Sequence, residues 1–397
     1  MAQDGAAGTS EGRATARWEA GLIALYALMA VLVTWQEVHL GHVNNFAMFR
    51  WSFFHLREGI SLYAFYPSLY FDRFQYGPTF AFLIAPFALP PAWLGLLFFN
   101  VLNIGVFYFA IRTLLPGRTG LVALVILVFE VLRTTQNSET NALVAGLMIL
   151  AFVWMERERM GRAAWAVAIG AAIKIFPLAA AALALPSRRR WRFGLLLAGA
   201  FAALLLAPLL LTPPSTLAHQ YHWWGDLERS YGPLRMESVM GLIGVWMPGA
   251  WPNWPVQVAG TLVLLLPFLV RRRDWGDPTF RRAMLCSVLG YVVLFNHQAE
   301  SPTFVVAMAG VVAWYLTASR RWYHHAVMVL AWLLVSLSSE VLTRPVRAAY
   351  LQPWHYKTVP VALAWLVMQW ELLRPTRTEA GAPALSAAGR TGPARPA

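Results

Sequence analysis

The chain is poor in cysteine and in charged residues. Cys286 is the only cysteine in 397 residues, so no intrachain disulfide can form. Charged residues make up 13% of the chain and hydrophobic residues 58%, and the mean hydropathy is +0.51. A soluble domain needs more polar residues to cover its surface. The composition therefore indicates a polytopic membrane protein and leaves Cys286 as a small residue of an apolar core.

Sequence motifs for nucleotides and metals are also missing. No phosphate-binding glycine loop, dinucleotide fingerprint or nucleophile elbow occurs, so a soluble nucleotide donor is not indicated. HLGH at 39–42 has a spacing typical of metal ligands on a helix, but no third ligand lies nearby, and we expect no metal. The net charge of +13 comes from short arginine clusters between apolar runs, so we expect no nucleic-acid partner.

Apolar runs close to the ~20 residues that a helix needs to cross a bilayer recur along the whole chain. We expect about twelve spanning helices, at 20–36, 92–113, 119–134, 140–155, 163–174, 176–187, 193–212, 255–270, 283–296, 302–318, 325–339 and 358–373. The predicted fold class is an all-α, polytopic transmembrane helical bundle. Two shorter apolar segments, YGPTFAFLIAPFALPP and SVMGLIGVWMPGAW, are expected to form half-helices at the outer face.

Arginine is concentrated at alternate junctions of these helices, as in ERERMGR, SRRRWR and RRRDWGDPTFRR. By the positive-inside rule, these junctions and both termini lie in the cytoplasm beneath a plasma membrane. Residues 1–18 are then a cytoplasmic segment, and 19–374 form one transmembrane domain with long outer loops at 37–91 and 213–254. The cytoplasmic tail 375–397 is rich in Ala, Pro and Gly, and we expect it to be disordered.

Polar residues collect at outer junctions that are too short to be mere linkers. TTQNSETN brings Gln136, Asn137 and Glu139 to one helix entrance. Amides and a carboxylate there suit hydrogen bonds to sugar hydroxyls, or they form a solvated turn that caps the next helix. LFNHQAESPTF is a second polar island between two apolar runs, and it contains His297 and Glu300.

The two lysines of the chain, Lys174 and Lys357, both fall on the outer side of this topology. Lys174 ends an apolar helix three residues before Pro177, where it either snorkels to the interface or binds a phosphate as a point charge. Lys357 belongs to LTRPVRAAYLQPWHYK, whose cations and aromatic rings are typical either of an interfacial belt or of a site for an anionic lipid headgroup.

Three outer segments, taken in order, resemble glycosyltransferase family 87, which includes the mycobacterial polyprenyl-phosphate-mannose-dependent mannosyltransferases. They are NNFAMFRWSFFHLREGISLY, YFDRFQYGPTFAFLIAPFALPPAWLGLLFFNVLN and QNSETNALVAGLMILAFVWMERERMGRAAWAVAIGAAIKIFPL. The resemblance implies a GT-C-like fold and transfer of a sugar, a hexose such as mannose or a pentose, from a polyprenyl-phosphate donor. It further implies a lipid or glycan acceptor, an extracytoplasmic active site within the membrane lipids, and no other cofactor.

One position departs from the family pattern. Similar members have an aspartate early in the first outer loop that acts as the catalytic base, and here Asn45 holds that place, with Asn44 beside it. An amide cannot take a proton from an acceptor hydroxyl. The candidates for the base are therefore Asp72 and Glu300, followed by Glu237.

The other outer polar residues are expected to bind substrate. We assign phosphate contacts to Lys174, Arg73 and His297, sugar hydroxyls to Gln136, Asn137 and Asn45, and further substrate contacts to Tyr76, Glu139 and Glu237. Two structural alternatives stay open. Asp72 could form an ion pair with Arg73, and Glu300 could be a structural partner of Lys174 or His297.

Two other functions compete with sugar transfer. A glycolipid transporter or flippase would also need polar residues and half-helices at the outer face, but it should show internal repeats or polar residues near the midplane of both halves. The sequence shows neither feature. A non-catalytic relative that only binds a carrier lipid is the other alternative, because Asn45 replaces the expected base.

Overall fold

The computed structural model describes residues 2–41 and 43–374, with side chains from residue 12 onward. Within these residues the chain forms helices and no strands. The α-helices, numbered in chain order, are α1 Ala2–Leu40, α2 Asn44–Glu58, α3 Pro78–Leu83, α4 Ala85–Ala88, α5 Ala92–Leu114, α6 Arg118–Gln136, α7 Asn141–Glu156, α8 Met160–Ile173, α9 Arg190–Leu206, α10 Pro214–Tyr231, α11 Val239–Trp246, α12 Trp254–Val270, α13 Pro278–Leu294, α14 Phe304–Thr317, α15 Trp322–Ala331, α16 Ser338–Val341, α17 Arg344–Tyr350 and α18 Thr358–Leu373. The 3₁₀ helices are Phe176–Ala184, Ala207–Leu210, Arg272–Asp274, Ser301–Thr303 and Gln352–Trp354, and Trp332–Leu337 is a π-helix.

Five helical segments in the described part of the chain are long and apolar enough to cross a membrane. They are Gly12–Leu40, Ala92–Leu114, Arg118–Gln136, Arg190–Leu210 and Trp322–Val341. The chain therefore has the helical, membrane-spanning character that its composition predicts. Each of the twelve expected segments is helical over most of its length, but the number of spans and the GT-C-like arrangement stay predictions.

The expected spans at 163–174 and 176–187 show why fewer segments have spanning length than the sequence predicts. The first is α8, whose 14 residues are about 21 Å long at 1.5 Å per residue. The chain then breaks at Lys174, which has extended backbone angles, φ −137° and ψ 140°. The second is the 3₁₀ helix Phe176–Ala184, which begins with a proline in its first turn. Neither piece alone has the length of a full span.

The centre of the bundle consists of α7, α13 and α14, whose side chains are buried over most of their length. Small residues allow these helices to approach closely, as is common in membrane bundles. A Cβ on Gly310 of α14 would lie 2.6 Å from the carbonyl oxygen of Cys286 in α13. Cys286 is fully buried there, which confirms it as a core residue. By contrast, only 22% of the span Arg190–Leu210 is buried inside the protein, so most of its apolar surface faces outward.

The arginine-rich junctions meet at one end of the bundle, which we call the arginine-rich end. Arg112 pairs with Glu19, and Arg281 pairs with Glu156, each at 2.9 Å. The opposite end carries Lys174 and the other outer polar residues. The loops of this second end contain α2, α3 and α4 in the first long loop and α10 and α11 in the second. The tail 375–397 and His42 lie outside the described residues.

Candidate functional site

A cavity of about 620 Å³ opens at the end of the bundle that carries Lys174. Its lining has a polar part and an apolar part. The polar part includes Gln75, Tyr76, Glu139, Lys174, Glu228, Gln257, Asn296, His297, Gln298 and Glu300. The apolar part includes Ile175, Phe176, Leu178, Ala179, Ala182, Leu264, Leu265, Val292 and Phe295. The cavity thus joins a hydrogen-bonding head region to a hydrophobic groove.

The Glu139 carboxylate is the centre of the polar part. Lys174 Nζ donates to Glu139 Oε2 at 3.0 Å and to the side-chain oxygen of Asn141 at 2.9 Å. The Tyr76 hydroxyl donates to Glu139 Oε2 and the Asn45 amide to Glu139 Oε1, both at 3.4 Å. Because its oxygens accept these bonds, Glu139 is placed to orient Lys174 and Asn45.

The turn that carries Glu139 is held by both backbone and side chain. Asn137 donates its side-chain amide to the Arg133 carbonyl at 2.8 Å and accepts from Asn45 at its own carbonyl, also at 2.8 Å. Ser138 has φ +49°, an uncommon left-handed conformation that costs on the order of 1 kcal/mol in a non-glycine residue. The Asn137 amide thus stabilises the end of α6, whereas the solvated-turn alternative expects a cap on the next helix, α7, which has no side-chain cap. Gln136 ends α6 and does not line the cavity.

The polar island around Glu300 is fixed to a distant segment. Met236 donates its backbone N–H to the His297 carbonyl and Glu237 donates to the Ala299 carbonyl, both at 2.9 Å. These two bonds place the island beside the cavity. Glu237 itself does not line the cavity. Its carboxylate lies 3.7 Å from His355 Nδ1 on the other side of this pairing.

Glu300 lies at the polar end of the cavity, where its side chain is exposed to solvent. Partial desolvation at the cavity wall raises the pKa of the Glu300 carboxyl group, and the nearby Glu139 carboxylate raises it further, while the Lys174 ammonium opposes both effects. The structure therefore brings Glu300 into electrostatic range of the Glu139–Lys174 pair. A carboxyl group with a raised pKa beside a cavity is a common feature of functional sites.

His297 contributes neutral hydrogen-bonding groups. Its two ring nitrogens lie 3.3 Å from the side-chain nitrogens of Gln257 and Gln298. Burial lowers the pKa of His297, so the ring is neutral at pH 7. Gln298 also donates to Glu228 of α10 at 3.3 Å, and burial raises the pKa of Glu228. Sequence reasoning missed Gln257 and Glu228. The only sign of Gln257 is a lone amide at the start of an otherwise apolar helix.

Asp72 and Arg73 lie apart from each other although they are adjacent in sequence. Asp72 is exposed and accepts a 3.0 Å hydrogen bond from the Asn44 amide. In the part of the chain that the structure describes, Asp72 forms no ion pair with Arg73. Arg73 lines a separate depression outside the cavity. The proposed Asp72–Arg73 bridge is therefore not formed, and Arg73 is not positioned among the other expected phosphate contacts.

The apolar part of the cavity is a groove between the 3₁₀ helix Phe176–Ala184 and α12. The 3₁₀ helix lines it with Leu178 and with the small residues Ala179 and Ala182, and α12 contributes Leu264 and Leu265. Small side chains on one wall leave width between two packed helices. A groove of this kind suits a hydrophobic chain.

Lys357 lies in a second, buried cluster beneath the island. It is 1% exposed and donates to the Ser301 hydroxyl at 2.7 Å. Burial lowers the pKa of Lys357 to about 8, whereas Glu130 opposes this shift. Arg133 forms an ion pair with Glu340 in the same cluster. Lys357 therefore does not reach a headgroup at the surface, whereas Arg344 of the same segment is exposed, and the headgroup alternative for this segment stays a prediction.

No three His, Cys, Asp or Glu side chains lie close enough to hold a metal ion anywhere in residues 12–41 and 43–374. His39 of the HLGH motif is hydrogen-bonded to the Trp35 carbonyl at 2.9 Å.

Comparison with family models gives a match. The model of a family described as Glycosyltransferase family 87 matches residues 74–296, more than half of the chain. This range contains Tyr76, Glu139 and Lys174 of the cavity, whereas Asn45 and Glu300 lie outside it. No curated protein matches the chain.

Proposed function

Because the chain belongs to glycosyltransferase family 87, we propose that it transfers a sugar, a hexose such as mannose or a pentose, from a polyprenyl-phosphate carrier to a lipid or glycan acceptor. The observation that carries this proposal is the two-part cavity. A polar head joined to a hydrophobic groove matches a donor made of a sugar phosphate on a long hydrocarbon chain. The groove beside the 3₁₀ helix would hold the first isoprene units.

The donor phosphate would bind at Lys174. An ammonium group has three N–H donors, and Lys174 directs two of them to Glu139 and Asn141. The third remains for a phosphate oxygen. Neutral donors of His297 and Gln257 lie in the lining of the same cavity and would complete the contacts. As the sugar leaves, negative charge builds up on the phosphate, and these groups would stabilise it.

Glu300 is our choice for the catalytic base. The transfer needs one base within hydrogen-bond reach of the acceptor hydroxyl. Asn45 cannot accept the proton, and the oxygens of Glu139 already accept other hydrogen bonds. Glu300 lines the cavity, and its raised pKa brings it closer to the operating pH. Asp72 ranks second because it does not line the cavity and is bound to Asn44.

The proposed reaction inverts the anomeric carbon in one displacement. The acceptor oxygen attacks that carbon, the carbon–oxygen bond to the phosphate breaks, and the acceptor proton moves to Glu300. The bonding electrons of the broken bond leave with the polyprenyl phosphate. Asn45 and Asn137 do not line the cavity, and their amides would hold the Glu139 turn in position beside the sugar.

We further propose a GT-C-like bundle of about twelve spans with both termini in the cytoplasm and the cavity facing outward from the plasma membrane. The gathering of arginine at the end opposite the cavity supports this orientation. The single cysteine is fully buried, so one introduced cysteine can be labelled without background. In spheroplasts, a membrane-impermeant maleimide should label N137C and should not label R188C. The reverse pattern would show the opposite orientation.

The function is tested with purified protein in nanodiscs. Decaprenyl- or undecaprenyl-phosphate carrying a hexose or a pentose is added with membrane-lipid acceptors, and release of the free carrier is followed. The proposal predicts release with at least one sugar. Saturable binding of the carriers without any release would instead indicate a non-catalytic relative. Movement of a glycolipid across protein-containing liposomes without release would indicate a flippase.

A further inference from the structure

We propose that a second depression, next to the cavity, binds the carbohydrate part of the acceptor. The depression has a volume of about 350 Å³ and lies between the first long loop and α10. Its lining residues are Ser61, Tyr63, Ala64, Arg73, Trp223, Asp226, Leu227 and Ser230. This inference rests on the proposed function and narrows the acceptor to a molecule that carries sugar units. We call the depression the acceptor cleft.

Helix α10 separates the acceptor cleft from the cavity. Trp224 and Glu228, four residues apart on one face, line the cavity. Trp223, Asp226 and Ser230, spaced three and four residues apart on a neighbouring face, line the cleft. One helix thus presents polar and aromatic groups to both spaces.

The floor of the cleft is rigid because buried hydrogen bonds fix the first loop to α10. Gln220 is fully buried and donates to the Ile60 carbonyl at 2.7 Å, while its side-chain oxygen accepts from Leu62 N–H at 3.0 Å. The Tyr63 hydroxyl donates to the Tyr76 carbonyl at 3.0 Å, across the wall shared with the cavity. A site that is formed before binding loses less entropy when a ligand binds.

The chemistry of the cleft fits neutral polyhydroxyl ligands. The Trp223 side chain, 39% exposed, offers an aromatic surface, and the electron-rich ring face attracts the C–H edges of a sugar. Arg73 provides N–H donors for hydroxyl groups. The Asp226 carboxylate forms an ion pair with Arg229 at 2.7 Å and lies 3.4 Å from His222 Nε2, and its remaining lone pairs can accept from hydroxyl groups. A bare hydrocarbon chain would leave these remaining donors and acceptors without partners.

The cleft and the cavity are neighbours. Tyr63 of the cleft is hydrogen-bonded to the Tyr76 carbonyl of the cavity, and α10 lines both spaces. A glycan whose terminal hydroxyl meets Glu300 would extend its inner sugars over Trp223.

The test measures acceptor length dependence in nanodiscs. Lipid acceptors carrying one, two or three sugars are compared for the native chain and the variants W223A and R73Q. We expect W223A to raise the acceptor KM about tenfold for the longer glycans, since an aromatic contact of this kind contributes on the order of the free energy of a tenfold change. The KM for the donor and kcat should change less than about twofold, well below that tenfold effect. Unchanged acceptor KM values in both variants, with transfer intact, would overturn the cleft and leave the proposed function standing.

A control variant and a binding measurement distinguish failure of the acceptor cleft from failure of the proposed sugar transfer. W246A is the matched control, because Trp246 is 75% exposed on α11 and does not line the cleft. It should leave every acceptor KM unchanged. In addition, saturation-transfer NMR measures direct binding of mannotetraose, cellotetraose and an arabinotetraose, without a donor. Binding that is lost in W223A supports the cleft even if no donor sugar is transferred, whereas no saturable binding of any probe overturns it.

Discussion

Lys174 and Lys357 each lie near a glutamate, but the two environments differ. Lys174 contacts Glu139 directly at 3.0 Å, and the pair lines the cavity with side chains 20% and 11% exposed. Lys357 is 1% exposed, its hydrogen bond goes to Ser301, and Glu130 acts on it through its charge. The first lysine is accessible to a ligand, and the second is part of the scaffold.

Glu300 links the two environments. The Lys174 ammonium acts on its carboxyl group from the cavity side. Lys357 holds the hydroxyl of the next residue, Ser301, from the protein side. Lys174 therefore influences the ionisation of Glu300, and Lys357 holds the residue that follows Glu300 in the chain. Polar groups inside a membrane protein are costly and are usually kept for a functional reason.

The largest effect should follow from removing the buried lysine. K357M removes one of the two cations, Lys357 and Arg133, that act on the buried Glu130. We expect a loss of about 3 kcal/mol in unfolding free energy, the lower end for a broken buried pair, because Arg133 remains. Thermal unfolding in nanodiscs measures it. The double variant K357M/E130Q should recover part of the loss. If K357M is as stable as the native chain, the scaffold role of Lys357 is wrong.

The next effect concerns the base between the two lysines. E300Q should lower kcat at least about 100-fold, the lower end for a general base, with donor binding retained. Carrier release at saturating donor measures the loss. The control D72N should lower it much less. A larger loss in D72N than in E300Q would give the base role to Asp72.

A smaller effect is expected from the lysine of the cavity. K174M should lower kcat/KM about tenfold through loss of a phosphate contact, since charge-assisted hydrogen bonds contribute on the order of this free energy. K174R should recover part of the activity. The comparison between the lysines fails if K174M destabilises the fold as much as K357M does while the donor KM stays unchanged.

The smallest effect is a shift in pH dependence. A base must be ionised, and partial desolvation raises the pKa of Glu300 above the ordinary 4.5, so the acidic limb of kcat/KM should lie above pH 4.5. Lys174 favours the ionised form, so K174M should move this limb to still higher pH. K357M should leave it in place. If the acidic limb of kcat/KM does not move in K174M, the charge of Lys174 does not act on the proposed base.

The sequence predicted the helices well because apolar runs of spanning length have few other structures open to them. The family was also predicted from the sequence and is confirmed. The sequence placed Glu139 and Lys174 at separate helix junctions but did not pair them with each other. The expected cap on α7 is absent, and the Asn137 side chain instead bonds the end of the preceding helix α6.

Contacts between distant segments could not be read from the sequence. Residues 236–237 pair with the island at 297–299, and Gln257 enters the cavity from another helix. Such contacts depend on how the helices pack, which local periodicity does not encode. The burial of Lys357 is the clearest case. Its neighbours in sequence are cations and aromatic rings typical of an interface, yet the fold turns it inward against Ser301.

Asn45 has a wider consequence when considered with Glu139. Its side-chain nitrogen lies 3.4 Å from one Glu139 oxygen and 2.8 Å from the Asn137 carbonyl oxygen. An aspartate at 45 would place a carboxylate oxygen, which can only accept hydrogen bonds, against the Glu139 carboxylate and the Asn137 carbonyl oxygen. It would also add a second negative charge. The Asn45 amide is thus a hydrogen-bond donor that complements the Glu139 carboxylate, and not simply the absence of a carboxylate. We expect the residues at these two positions to change together among related chains, so that aspartate at 45 accompanies a residue other than glutamate at 139.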